Sequence, residues 1–251
     1  MLNKVPQVTV FFWIIKVLAT TVGETFADFL STKLKLGLVV TSYIMAALFL
    51  VALLVQLRRT KYVPGIYWTV VVLISVVGTL VSDNLHDRLG VALQTTSLMF
   101  GGILAVVFAL WWFSERTLSV HSIVTTKREL FYWAAILFTF ALGTSAGDYL
   151  AEVTGFGYPV AALMFAGLIA LTAIAYFVIK INGVLAFWIA YILTRPLGAS
   201  TGDLLSQPVA NGGFGLGTTL TSLGFLTAIV GLVIYLTKHP EVEIVAQERA
   251  A

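Results

Sequence analysis

Residues Trp13–Asp28 read WIIKVLATTVGETFAD, and the pattern inside them occurs four times in the chain. An aromatic residue precedes a Trp, a Gly follows ten residues later, and an Asp follows five after that. Phe12-Trp13 leads to Gly23 and Asp28, and Tyr67-Trp68 leads to Gly78 and Asp83. Tyr132-Trp133 leads to Gly143 and Asp148, and Phe187-Trp188 leads to Gly198 and Asp203. A fixed long period is the mark of a repeat architecture. The Asp residues are 55, 65 and 55 apart, so four repeats also group into two halves, with ten extra residues in the segment 114–128.

Composition decides the solvent. Of 251 residues, 59% are apolar and 11% charged. Soluble domains run at about 45–50% apolar and about 25% charged. The chain therefore reads as a polytopic membrane protein. It has no Cys, which removes disulfides, thiolate metal sites and thiol nucleophiles together. The pI near 9.1 does not point to nucleic acid, because the basic residues lie between apolar runs and not on a soluble face. No nucleophile elbow, phosphate loop or paired-His metal motif is present, so no enzyme is expected.

A membrane-spanning helix needs about 20 mostly apolar residues. Eight runs qualify, at roughly 8–29, 36–57, 64–84, 90–113, 129–150, 157–180, 183–204 and 214–237. Helices are expected because a lipid-exposed segment must satisfy its own backbone groups. The first run aligns with three later ones and is expected to belong to the fold, not to a cleaved signal. Paired runs give repeats at about 8–57, 64–113, 129–180 and 183–237, one transmembrane domain over 1–238, and a flexible cytoplasmic tail at 239–251. Each two-helix repeat returns to its starting side, so all four share one orientation, with pseudo-symmetry about an axis along the membrane normal. One set of connections holds ten basic residues and the opposite set three, which places both termini in the cytoplasm. The Trp residues fit the role of anchors at the cytoplasmic interface.

Steps of four from each Asp trace one helical face. The first odd helix gives Lys16, Thr20, Glu24 and Asp28. The second gives Val71, Ser75, Thr79 and Asp83, then Asp87. The third gives Ile136, Phe140, Thr144 and Asp148, then Glu152, and the fourth gives Tyr191, Arg195, Ala199 and Asp203. A polar stripe in lipid must face protein or water and marks a pathway for ions, protons or substrate. Five acids (Glu24 and the four Asp) against two cations (Lys16 and Arg195) leave a negative excess that must be protonated or bind cations. The even helices look featureless and rich in small residues, as packing partners do.

These residues resemble a family of bacterial membrane proteins built from four tandem copies of a two-helix repeat of unknown function, each with a characteristic Trp. The resemblance covers nearly the whole chain and implies a bacterial inner-membrane location. It implies no activity, so function rests on the stripe. The four Asp residues are expected to converge, one from each repeat, on a small hard cation such as Mn²⁺ or Mg²⁺. Oxygen donors alone suit such ions and exclude soft ones. Thr20, Ser75, Thr79 and Thr144 would support the site. Asp87, Glu152 and His86 would line an outer vestibule. Lys16 would either pair with Glu24 or snorkel to the interface, and Arg195 would pair within the bundle. The expected function is a secondary transporter, possibly proton-coupled efflux. The rivals are a cation channel and a non-transporting scaffold. The Asp residues could alternatively begin turns in the wet headgroup layer.

Overall fold

The computed structural model describes residues 3–240, so positions 241–251 of the expected tail lie outside the described residues. Among the described residues, eight helices are long and apolar enough to cross a membrane. They are α1 (Val10–Asp28), α2 (Gly37–Leu57), α3 (Pro64–Asp83), α4 (Leu93–Glu115), α5 (Thr126–Asp148), α6 (Gly157–Ile174), α7 (Gly183–Ser206) and α8 (Gly217–Lys238). Among the described residues there is no strand.

The starts of the odd helices are written locally. Thr9 and Thr125 accept hydrogen bonds from Phe12 N and Arg128 N, and Asn182 accepts from Val184 N and Leu185 N. Such side chains satisfy the otherwise unpaired first amides. Pro64 opens α3, where its missing N–H costs nothing. At their other ends α1, α3 and α5 widen into single π-helical turns, Phe29–Lys33, Asn84–Arg88 and Tyr149–Val153. The turns into α2, α6 and α8 begin on Gly37, Gly157 and Gly217, all at positive φ, a conformation that costs Gly little.

The odd helices close into a ring in which α1 packs on α3, α3 on α5, α5 on α7, and α7 on α1. Each even helix packs mainly on the odd helix of the next repeat, so α2 lies on α3, α4 on α5, α6 on α7, and α8 on α1. The repeats are therefore interleaved, and α8 seals the circle. The odd helices are mostly buried and the even helices mostly exposed. This is the order lipid favours, with polar stripes inward and featureless apolar helices outside.

The glycines of the repeat are the crossing points of the ring. A Cβ on Gly23 would lie 3.0 Å from the backbone carbon of Ser75, and one on Gly78 would lie 2.5 Å from Phe140 Cβ. Gly143 meets Arg195 Cβ at 2.5 Å and Pro196 Cδ at 2.9 Å, and Gly198 meets Thr20 Cβ at 2.5 Å. In every case the partner stands three residues before the Gly of the next repeat. Small residues allow this approach. Pro196 sits inside a continuous α7.

The aromatic-Trp pairs interlock in the same sense. Trp68 packs on Phe12, Trp133 on Tyr67, Trp188 on Tyr132 and Trp13 on Phe187, with ring centroids 5.5–6.2 Å apart. Trp68, Trp133 and Trp188 are buried. For these three the interfacial-anchor reading is corrected: the rings are buried and pack between repeats, whereas Trp13 is only partly buried.

The even helices are not featureless either. Thr41-Ser42, Thr96-Ser97 and Thr221-Ser222 recur on α2, α4 and α8. Ser97 Oγ donates to Ser145 Oγ at 3.1 Å, Ser222 Oγ donates to Thr25 Oγ1 at 2.8 Å, and Asn84 Nδ2 donates to Ser42 Oγ at 2.8 Å. Interhelical hydrogen bonds in membranes are worth about 0.6 kcal/mol on average. Ser222→Ala should lower stability in detergent by about that amount, read from thermal unfolding, with Ser97→Ala alike.

Candidate functional site

The polar stripes meet on the ring axis, in layers. At the end that carries the N-terminus lies the aromatic belt, where the Tyr67 and Tyr132 hydroxyls are 2.5 Å apart. That end is capped by the segment before α1. Lys4 Nζ is 2.5 Å from Glu129 Oε2 and donates to Leu57 O at 3.0 Å, while Gln56 Nε2 donates to Glu129 Oε1 at 2.8 Å. All three side chains are buried. In the sequence Lys4 belongs to the basic connections, and only Gln56 and Glu129 at the edges of apolar runs hint at this cluster.

The next layer holds Lys16, Val71, Ile136 and Tyr191. Lys16 is fully buried and neither snorkels nor pairs with Glu24. Its Nζ lies 4.3 Å from the centre of the Phe140 ring and 4.2 Å from that of Tyr191, and no acceptor among the described residues is in reach. Ring faces carry partial negative charge and attract such a cation.

Below it, Arg195 reaches across the axis. Its Nη2 donates to Glu24 Oε2 at 2.8 Å, to Thr144 Oγ1 at 2.6 Å and to Thr79 Oγ1, and Nη1 donates to Thr20 O at 3.4 Å. One guanidinium thus ties α7 to the other three odd helices. Glu24, Thr79 and Thr144 occupy equivalent positions, one residue after each repeat Gly, so a single layer supplies all three. Ser75 stands at the level of Arg195, buried, with its hydroxyl unpaired among the described residues.

The Asp residues form the last layer. Asp203 is buried, and Asp28, Asp83 and Asp148 are partly buried. Each lies within electrostatic range of Glu24. Asp83 also lies within range of Asp28, Asp148 of Asp83, and Asp203 of Asp148 and Asp28, which closes a circuit of carboxyl groups. Among the described residues none of the four joins an ion pair. Among the described residues no three of His, Asp and Glu stand close enough to hold a metal ion. The carboxylates therefore surround the mouth of the axis and do not share one coordination sphere. Asp28, Asp83 and Asp148 stand where their helices widen into π turns, which re-aim successive side chains. Asp87 and Glu152 are exposed farther out, Glu152 accepting from Tyr158 Oη at 3.1 Å. His86 Nδ1 is 2.9 Å from Val91 O in its own turn.

Membrane-length helices, internal repetition and a buried polar axis together define a multi-pass membrane protein built as a ring of four tandem units. The chain belongs to the family described as Repeat of Unknown Function (DUF347), whose pattern matches residues 11–62, 66–117, 131–182 and 186–239. Neither the curated proteins nor the solved structures contain a match to the chain.

Proposed function

We propose that the protein is a secondary transporter of a small hard cation, such as Mn²⁺ or Mg²⁺, coupled to protons. The observation that carries this reading is the circuit of four Asp residues around Glu24, one from each repeat, above a buried polar axis. Rings of acidic side chains select cations. Unpaired carboxylates crowded at the mouth of an apolar bundle raise the local concentration of positive ions. The axis beneath is filled by Arg195, Lys16 and Phe140, which argues for a gated carrier over an open channel.

The basic connections assign the end bearing the N-terminus to the cytoplasm, so the Asp layer faces outward, in a bacterial inner membrane. Efflux would then release the cation at the acidic mouth, and influx would capture it there. Lipid is the surrounding partner.

The test is reconstitution into liposomes, with Mn²⁺ or Mg²⁺ flux followed beside internal pH. Asp28→Asn, Asp83→Asn, Asp148→Asn and Asp203→Asn should each cut flux roughly tenfold, as about 1.4 kcal/mol of lost attraction implies. Unchanged flux in all four rejects the reading.

A further inference from the structure

The oxygens around Arg195 are arranged for a positive guest. Thr79 Oγ1 spends its own proton on Ser75 O at 3.3 Å, and Thr144 Oγ1 spends its proton on Phe140 O at 3.2 Å. Both hydroxyls therefore turn lone pairs, not protons, toward the axis. With Glu24 Oε2 and Thr20 O they make a cage of four acceptor oxygens drawn from three helices. The cage carries one negative charge, so one positive charge neutralises it. A divalent ion would leave an excess beside buried Lys16.

The present occupant is bound at its tip and fixed at its stem. Arg195 Cβ and Cγ lie against Gly143 at the α5–α7 crossing, which holds the stem in place. Its Nε is buried with no acceptor among the described residues, so the guanidinium does not use its full set of donors there. A buried arginine whose Nε donor is unmet is a less complete fit than the fork geometry of that group allows. Glu24 meanwhile stands at the border, within electrostatic range of all four Asp.

We propose that this oxygen cage is a binding site for a singly charged cation, with the Arg195 guanidinium as its tethered occupant. For its role in transport the proposal rests on the carrier reading above. A cation passing from the Asp layer to Glu24 displaces the guanidinium, and its departure lets Arg195 return. The cage is the coupling site, and the Asp layer receives the cargo.

The test uses the purified full-length protein in detergent and no flux. Arg195→Met keeps the unbranched stem against Gly143 and removes the guanidinium, and Arg195→Ala removes both. Thermal unfolding is recorded in guanidinium, Na⁺, K⁺ or Mg²⁺ chloride at millimolar level, with choline chloride holding ionic strength constant. Guanidinium or Na⁺ should raise the Tm of either variant by roughly 4 °C, the shift that occupancy well above Kd gives a protein of this size. Wild type, its cage filled, should not respond. Adding Glu24→Gln to Arg195→Met should abolish the response.

The proposal is overturned if no singly charged cation outperforms choline, if Mg²⁺ outperforms them all, or if the double variant still responds. If neither single variant is recovered folded in choline, recovery in guanidinium or Na⁺ supports the cage, and failure in every salt overturns it. Cation response with intact flux in the four Asp variants removes the carrier reading and keeps the cage. Lost flux without a cation response does the reverse.

Discussion

Gly143→Val should leave little folded protein, with a loss above about 3 kcal/mol. Overpacking a dense core typically costs 1–3 kcal/mol, and here the first added carbon already meets Arg195 Cβ at 2.5 Å and Pro196 Cδ at 2.9 Å. Neither neighbour can swing aside, since Arg195 is pinned to three helices and Pro196 is part of the α7 backbone. The α5–α7 contact would have to open, and with it one side of the ring. Gly102 provides the contrast, because a Cβ there meets nothing within 4 Å. Gly102→Ala should be neutral or slightly stabilising, as helix propensity favours Ala by about 1 kcal/mol. Size-exclusion profiles and thermal unfolding in detergent separate the two. A Gly143→Val protein as stable as wild type would dismiss the crossing-point account.

Glu24→Ala should cost about 3–5 kcal/mol, the usual penalty for stranding one partner of a buried ion pair. Arg195 would keep its charge with only hydroxyl and carbonyl oxygens for company, a layer below Lys16. The double variant Glu24→Ala/Arg195→Met should recover most of that loss, since replacing both partners is often neutral or better. A double-mutant cycle on unfolding free energy measures the coupling. Additive losses in that cycle would mean the pair does not hold the ring together.

Much of the site was readable before any coordinates. Steps of four along the odd helices picked out Glu24, Thr79, Thr144 and Arg195, because residues four apart share a helical face whatever surrounds the helix. The count of unpaired acids likewise needed only the sequence. The Thr-Ser dipeptides of α2, α4 and α8 are equally visible but carry little signal, since two hydroxyls in an apolar run hardly change its hydropathy. The burial of Lys4 is not legible in the sequence, because it depends on a partner 125 residues away.

The sequence alone determined the number of repeats, their common direction and the inward face of each odd helix. These follow from period and hydropathy, which are local properties of a chain in lipid. Tertiary structure alone decided that Arg195, not Lys16, takes Glu24 across 171 residues, that each even helix serves the next repeat, and that the Trp residues interlock inside the bundle. Periodicity tells a helix which way to face. Which neighbour it meets is set by volumes at the crossing, where a Gly of one helix admits the residue three before the Gly of the next.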